Sequence, residues 1–210
     1  MINFKEEKRL WRKGYKRVAG LDEAGRGPLA GLVVAAVVCV NPKNHEALKT
    51  KMAGIKDSKK LSPKRREEFY QLITKSPAIE WGIGRASEKI IDRINILEAT
   101  KLAMKRAVKN LKKKPDFLIL DGKMELDLAI SQISIVKADE KIFSCQAASI
   151  IAKVRRDRLM RKYHKRYSQY GFDRHKGYPT KHHREMLKKH GLCEIHRKSF
   201  RLESPLGLNK

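Results

Sequence analysis

The sequence predicts an α/β fold, and three observations carry that expectation. Apolar runs of strand length recur at 29–40, 79–86 and 117–120. Segments with helix-start signals lie between them, at 63–75 and 95–113. Asp121-Gly122 directly follows a wholly apolar strand, at the end where open α/β sheets build their sites. A chain of 210 residues is long enough for one substantial core with a small appendage.

The elements follow in order. Residues 1–17 read as a basic amphipathic lead-in whose Leu10, Trp11 and Tyr15 pack onto the core. A strand around Arg17–Asp22 and a partner at Leu29–Val40 make an opening hairpin, joined by Gly25-Arg26-Gly27-Pro28. A polar loop with Pro42 leads to Lys56-Asp57-Ser58-Lys59-Lys60. Ser62 as N-cap and Pro63 as first helical residue start a helix to Lys75, with Phe69, Leu72 and Ile73 inward. Ile79–Ala86 is the next strand. Asn95 and Glu98 form a capping-box signature for a helix to about Lys113, which Pro115 closes. The strand Phe117–Leu120, a strand at 134–137 and a helix from Ser144 to Lys165 complete the core.

Charge narrows the partner. Lys and Arg number 49 against 23 Asp and Glu, a formal charge of +26, which favours a polyanion, nucleic acid before membrane. Between Arg155 and Arg201, sixteen cations stand against four acids, and six of the seven histidines lie there. Tyr163, Tyr167, Tyr170, Phe172 and Tyr178 are interleaved with that charge, a mixture that suits phosphate neutralisation and base stacking. The three cysteines include no C-x-x-C pair, so neither a zinc site nor a disulfide framework is indicated. The N-terminus lacks an apolar signal core, and no apolar run reaches the roughly 18 residues a bilayer span requires. A reduced, cytoplasmic protein is expected.

The acids are the chemical signal. Asp22 and Glu23 adjoin a strand buried deeply enough that two carboxylates there need a positive partner such as a metal ion, the alternative being that they sit in solvent at a hairpin end. Successive strand residues face opposite ways, so both acids reach one site only if the strand breaks at Asp22 and Gly25 and Gly27 redirect the chain. On the last helix, Ile150, Val154 and Asp157 share a face, which makes Asp157 either a salt-bridge partner or a metal ligand. The Asp57–Lys60 loop either sets Lys59 or Lys60 on a phosphate or is a solvated charge run.

These segments together resemble bacterial ribonuclease HII. The matching strings are GLDEAGRGPLAG at 20–31, DSKKLS at 57–62, INILEAT at 94–100 and LILDG at 118–122. AASIIAKVRRDRLM at 147–160, YGFDRHKGYPTKHH at 170–183 and HRKSF at 196–200 extend the resemblance over nearly the whole chain. Three places depart from the family pattern: KAD at 137–139 where KGD is more usual, Ser144-Cys145-Gln146 before AASI, and Ile90 at an often acidic position.

The resemblance implies a ribonuclease-H-like fold, a central mixed sheet flanked by helices with a C-terminal helical extension. Residues 1–165 would form the catalytic core, with 1–16 as lead-in, and 166–210 a basic region packed on it that helps bind substrate. By carry-over, Asp22, Glu23, Asp121 and Asp157 are the catalytic, metal-binding acids. Hard oxygen ligands suit Mg²⁺ or Mn²⁺ rather than zinc, and two ions about 4 Å apart suit an in-line phosphodiester displacement. Gly25, Arg26, Gly27 and the Tyr178 hydroxyl would meet the 2′-hydroxyl that separates RNA from DNA, with Lys59 and Lys153 on phosphates. The implied activity is an endonuclease that hydrolyses RNA in RNA–DNA hybrids. It would also cut 5′ to single ribonucleotides in duplex DNA, leaving 3′-hydroxyl and 5′-phosphate ends. The related ribonuclease HIII carries an added N-terminal domain, for which the 16 or so residues before the first strand leave no room. A basic RNA-binding protein or a ribonuclease-H-like DNA recombinase are the alternatives; the first leaves the acids unexplained and the second has no need of the GRG and GYPT elements. A monomer is expected, with a terminal segment at 204–210 that is either a tail or a docking peptide for a replication clamp.

Overall fold

The computed structural model describes residues 2–55 and 60–200. Lys59 and the 204–210 segment therefore lie outside the described residues, and so do the expectations placed on them.

Five strands form one mixed sheet: β1 (Val18–Ala24), β2 (Val33–Val40), β3 (Ile79–Ala86), β4 (Phe117–Asp121) and β5 (Ser131–Ile135), in the order β3-β2-β1-β4-β5. β1, β2 and β3 pair antiparallel, whereas β4 runs parallel to β1 and β5 parallel to β4. All eight residues of β2 are buried, as its unbroken apolar sequence requires of a strand covered on both faces.

Helices supply that cover. On one face Ala36, Val38 and Val40 pack with Phe69 and Ile73 of α3 (Pro63–Lys75) and with Ala147, Ile150, Ile151 and Val154 of α6 (Phe143–Arg166). On the other, Ala19, Leu21, Val33, Ala35 and Val37 meet Ala99, Ala103, Met104 and Ala107 of α4 (Glu88–Lys109). Five shorter α-helices complete the described residues: α1 (Lys5–Arg12), α2 (His45–Lys51), α5 (Ala138–Lys141), α7 (Phe172–His175) and α8 (Lys181–His190). Gly20 sets the closeness of α6 to β1. A Cβ there would stand 2.5 Å from Ser144 Oγ and 2.6 Å from the Cys145 amide nitrogen.

Local signals placed α3 well: Ser62 Oγ accepts the Arg65 N–H at 3.3 Å and Pro63 begins the helix. Its buried side chains are Arg66, Phe69, Tyr70 and Ile73, and Leu72 is 46% exposed, because the stripe turns about one residue from the predicted one. Asn95 does cap the helix that follows, its Oδ1 accepting from Leu97 and Glu98 N–H. A preceding helical piece capped by Ser87 joins it across the kink at Asn95, and α4 ends at Lys109 rather than Lys113. α2 was not expected, and β5 lies three residues earlier than predicted at its start.

Two corrections bear on the site. β1 does not break at Asp22; it continues, with Glu23 opposite Ala35 and Ala24 opposite Val34. β2 begins at Val33 rather than Leu29, because the C-terminal part of the chain claims the intervening backbone. Leu29 N–H donates to Gly177 O, Gly31 N–H to Ile195 O, and Arg197 N–H to Leu29 O.

Candidate metal centre and adjoining cleft

The parallel register of β1 and β4 pairs Leu21 with Leu120, and both leucines face the α4 layer. Their successors therefore turn together to the α6 side of the sheet, and those successors are Asp22 and Asp121. Asp121 Oδ1 accepts the Ala138 N–H at 2.7 Å, which ties the start of α5 to the end of β4. Lys137, in the left-handed conformation (φ 60°), makes the turn, and Asp139 then falls beside the two strand aspartates. One carboxylate oxygen from each of Asp22, Asp121 and Asp139 lies within 4.8 Å of the others, with Asp22 and Asp139 buried.

Electrostatics make this group expensive as an empty anion cluster. Burial pushes the Asp22 carboxyl well above the usual carboxylate range, and Glu23 and then Asp121 push it further. Bonds from Ser149 and from the Glu23 N–H, the latter at 2.7 Å, offset only part of that. A divalent cation would neutralise the repulsion, and an all-carboxylate donor set suits a hard cation. The residues fit the group.

Glu23 belongs to the other side of the feature. Its Oε1 lies 3.4 Å from Arg26 Nη1, and it lines a cleft with Gly25, Arg26, Gly27, Ser149, Lys153 and Tyr178. The predicted residues Gly25, Arg26, Gly27, Lys153 and Tyr178 are thus brought to one place, next to the aspartates. Tyr178 is 42% exposed, and its ring faces Lys153 Nζ (5.9 Å from the centroid) and Arg156 (6.0 Å).

Asp157 stands apart. Among the described residues the aspartate group contains Asp139 and not Asp157. Asp157 Oδ1 lies 2.7 Å from Lys153 Nζ, one turn back on α6, and Oδ2 lies 3.8 Å from Arg66 Nη1. The salt bridge that was one of its two expected roles is formed, and the inward acid anchors a cation that lines the cleft. Nothing periodic in the sequence points to Asp139, although it lies in the KAD string at 137–139. A four-residue helix after a left-handed residue has no periodicity to mark it.

Comparison with known proteins points to one family. The family model described as Ribonuclease HII matches residues 19–203. The chain is 54% identical over 194 residues to the ribonuclease HII of Acetivibrio thermocellus, covering 92% of this chain and 73% of the relative. It superposes on the crystal structure of the ribonuclease H2 from Pyrococcus horikoshii OT3 with a TM-score of 0.72 and 32% identity, covering 88% of this chain and 94% of that one. The ribonuclease HII of Archaeoglobus fulgidus, solved in complex with PCNA, gives a TM-score of 0.73 at 27% identity, covering 90% and 96%.

Proposed function

The chain belongs to the ribonuclease HII family, and we propose that Asp22, Asp121 and Asp139, with Glu23 beside them, hold the divalent metal on which its activity depends. As a ribonuclease H it is an endonuclease acting on RNA–DNA hybrids, and from the family it cuts 5′ to single ribonucleotides in duplex DNA. The observation that carries the assignment is the grouping of three carboxylates from two strands and a helix, in a chain of formal charge +26, beside a cleft lined by Tyr178.

Mg²⁺ or Mn²⁺, singly or as a pair, would supply Lewis-acid stabilisation of the phosphoryl oxygens and a water of lowered pKa. The residues of the chain orient everything else. The Ala138 N–H fixes the Asp121 carboxylate, and the Glu23 N–H fixes that of Asp22. Asp157 holds Lys153 toward the cleft, where its ammonium meets a substrate phosphate. Gly25, Arg26 and Gly27 bring backbone close to the ribose, and Tyr178 offers both a hydroxyl and a stacking face to the sugar carrying the 2′-hydroxyl.

The C-terminal region at 166–210 serves in this reading as the basic, substrate-facing part, and its described residues, 166–200, are seated on the core. Leu29 and Ala30 share a buried cluster with Phe172, Leu187 and Ile195, which supports that seating. A cytoplasmic setting fits three cysteines that are all free thiols and the absence, among the described residues, of a helix long and apolar enough to cross a membrane.

Cleavage of an end-labelled duplex with one embedded ribonucleotide tests the reading, in Mg²⁺, Mn²⁺ or EDTA and beside an all-DNA duplex. Metal-dependent cuts 5′ to the ribonucleotide, lost in Asp121→Asn, are expected. Retained cutting in Asp121→Asn would remove the aspartate group from the chemistry.

A further inference from the structure

The segment after Cys193 touches both halves of the cleft from behind. Arg197 is 2% exposed, and its guanidinium donates to three backbone carbonyls: Gly31 O at 2.9 Å, Arg26 O at 2.9 Å and Gly25 O at 2.5 Å. In a trans peptide the C=O and the following N–H point in opposite directions. Drawing the Gly25 and Arg26 carbonyls onto Arg197 therefore turns the Arg26 and Gly27 N–H groups away from it. Neither of those amides has an acceptor among the described residues. Only glycine suits the first of these positions: Gly25 has φ +105°, and a Cβ there would lie 2.8 Å from Leu32 O.

The preceding residue reaches the other half. The Cys193 N–H donates to His196 Nδ1 at 2.8 Å, so that nitrogen accepts and the proton of the neutral ring sits on Nε2. His183 Nδ1 donates to Tyr178 O at 2.9 Å, which leaves its Nε2 as acceptor. The two Nε2 atoms are 3.1 Å apart, so His196 donates to His183 and the chain of bonds closes on the backbone of Tyr178. Every ring nitrogen in this line is used, and both rings are buried. The far end of the segment is fastened as well, since Asp92 accepts from Lys198 N–H, Ser199 N–H and Ser199 Oγ.

We propose that His196 and Arg197 are positioning residues for ribonucleotide selectivity: Arg197 aims the Arg26 and Gly27 amides, and His196, through His183, holds the backbone that carries Tyr178. This rests on the reading of the cleft as the place that meets the 2′-hydroxyl. Neither residue touches substrate. Their effect is to fix the distance between two recognition elements that come from opposite ends of the chain, where an error of an ångström costs a large factor.

Selectivity is read as the ratio of dissociation constants for an all-DNA duplex and the same duplex with one ribonucleotide, by anisotropy in EDTA so that nothing is cut. Tyr178→Ala reports on the cleft itself. Arg197→Lys and His196→Asn are expected to lower the ratio about tenfold or more, toward one, while binding of the all-DNA duplex and of Mn²⁺ stays as in the unsubstituted protein. Arg197→Lys that melts cooperatively and keeps the full ratio, while Tyr178→Ala loses it, overturns the proposal and leaves the cleft reading standing. A ratio of one in the unsubstituted protein, or one unmoved by Tyr178→Ala, overturns the cleft reading and the proposal with it. If Arg197→Lys does not fold, His196→Asn and the exposed-end variant Asp92→Ala decide the matter on the same terms.

Discussion

Lys153 Nζ lies 2.7 Å from Asp157 Oδ1, one turn apart on α6, and this pair accounts for the acid on the helix's inward face. Both side chains are mostly buried, so each depends on the other. Burial pushes the Lys153 ammonium down, and Asp157 opposes that shift.

Removing one partner should cost more than removing both. Asp157→Asn is expected to destabilise the protein by about 1–3 kcal/mol in urea titrations, because it leaves the largely buried Lys153 ammonium without its carboxylate and subject to the like charges of Arg156 and Arg66. Asp157→Asn combined with Lys153→Met should recover part of that loss. A double-mutant cycle with no coupling would contradict the account.

The aspartate group should behave as a site whose apo form is under electrostatic load. The raised pKa of Asp22 means that the folded state resists ionisation there; above the ordinary carboxylate range this penalises folding when no cation is bound. Asp22→Asn is therefore expected to raise apo stability at pH 7 by about 1–3 kcal/mol and to abolish cleavage. Mn²⁺ should stabilise the unsubstituted protein, by about 2.7 kcal/mol at a hundred times its Kd, and leave Asp22→Asn nearly unmoved. Thermal melts in EDTA and in Mn²⁺ check both signs.

The His183–His196 pair predicts a pH dependence. Burial, more than any other cause, lowers both pKa values from 6.5 to about 4. The unfolded chain takes up these protons before the folded one does, so their contribution is complete above pH 6.5 and is lost as the pH falls toward 4. The facing groups are His175, stacked on His183, and Tyr170 and Phe172 against His196, and the first of these has a lowered pKa as well. Urea midpoints taken from pH 7.5 downward should drop across that window. In His183→Asn/His196→Asn the midpoint should start lower and the slope should be shallower; an unchanged slope would refute the assignment.

Much of the sheet and of α3 could be read directly, because continuous apolar runs, Ser62-Pro63 and the Asn95 cap are local signals. What sequence could not supply was nonlocal. Leu29–Leu32 looks like more of β2, yet its backbone bonds belong to residues 177, 195 and 197. Asp157 sits at the spacing of an inward ligand, but its partner Lys153 is equally well spaced on the same face. Asp139 reaches the group only through the left-handed Lys137 and the Ala138–Asp121 bond, neither of which leaves a pattern in the string. The expected break in β1 followed from asking Asp22 and Glu23 to share one orientation; the strand instead continues and gives the two acids different surroundings.

The identity of the third aspartate is the central claim, and titration calorimetry with Mn²⁺ on Asp139→Asn and Asp157→Asn tests it most directly. The geometry predicts that Asp139→Asn weakens binding at least about tenfold, and that Asp157→Asn binds Mn²⁺ as the unsubstituted protein does. Loss of binding in Asp157→Asn, with binding kept in Asp139→Asn, would contradict it.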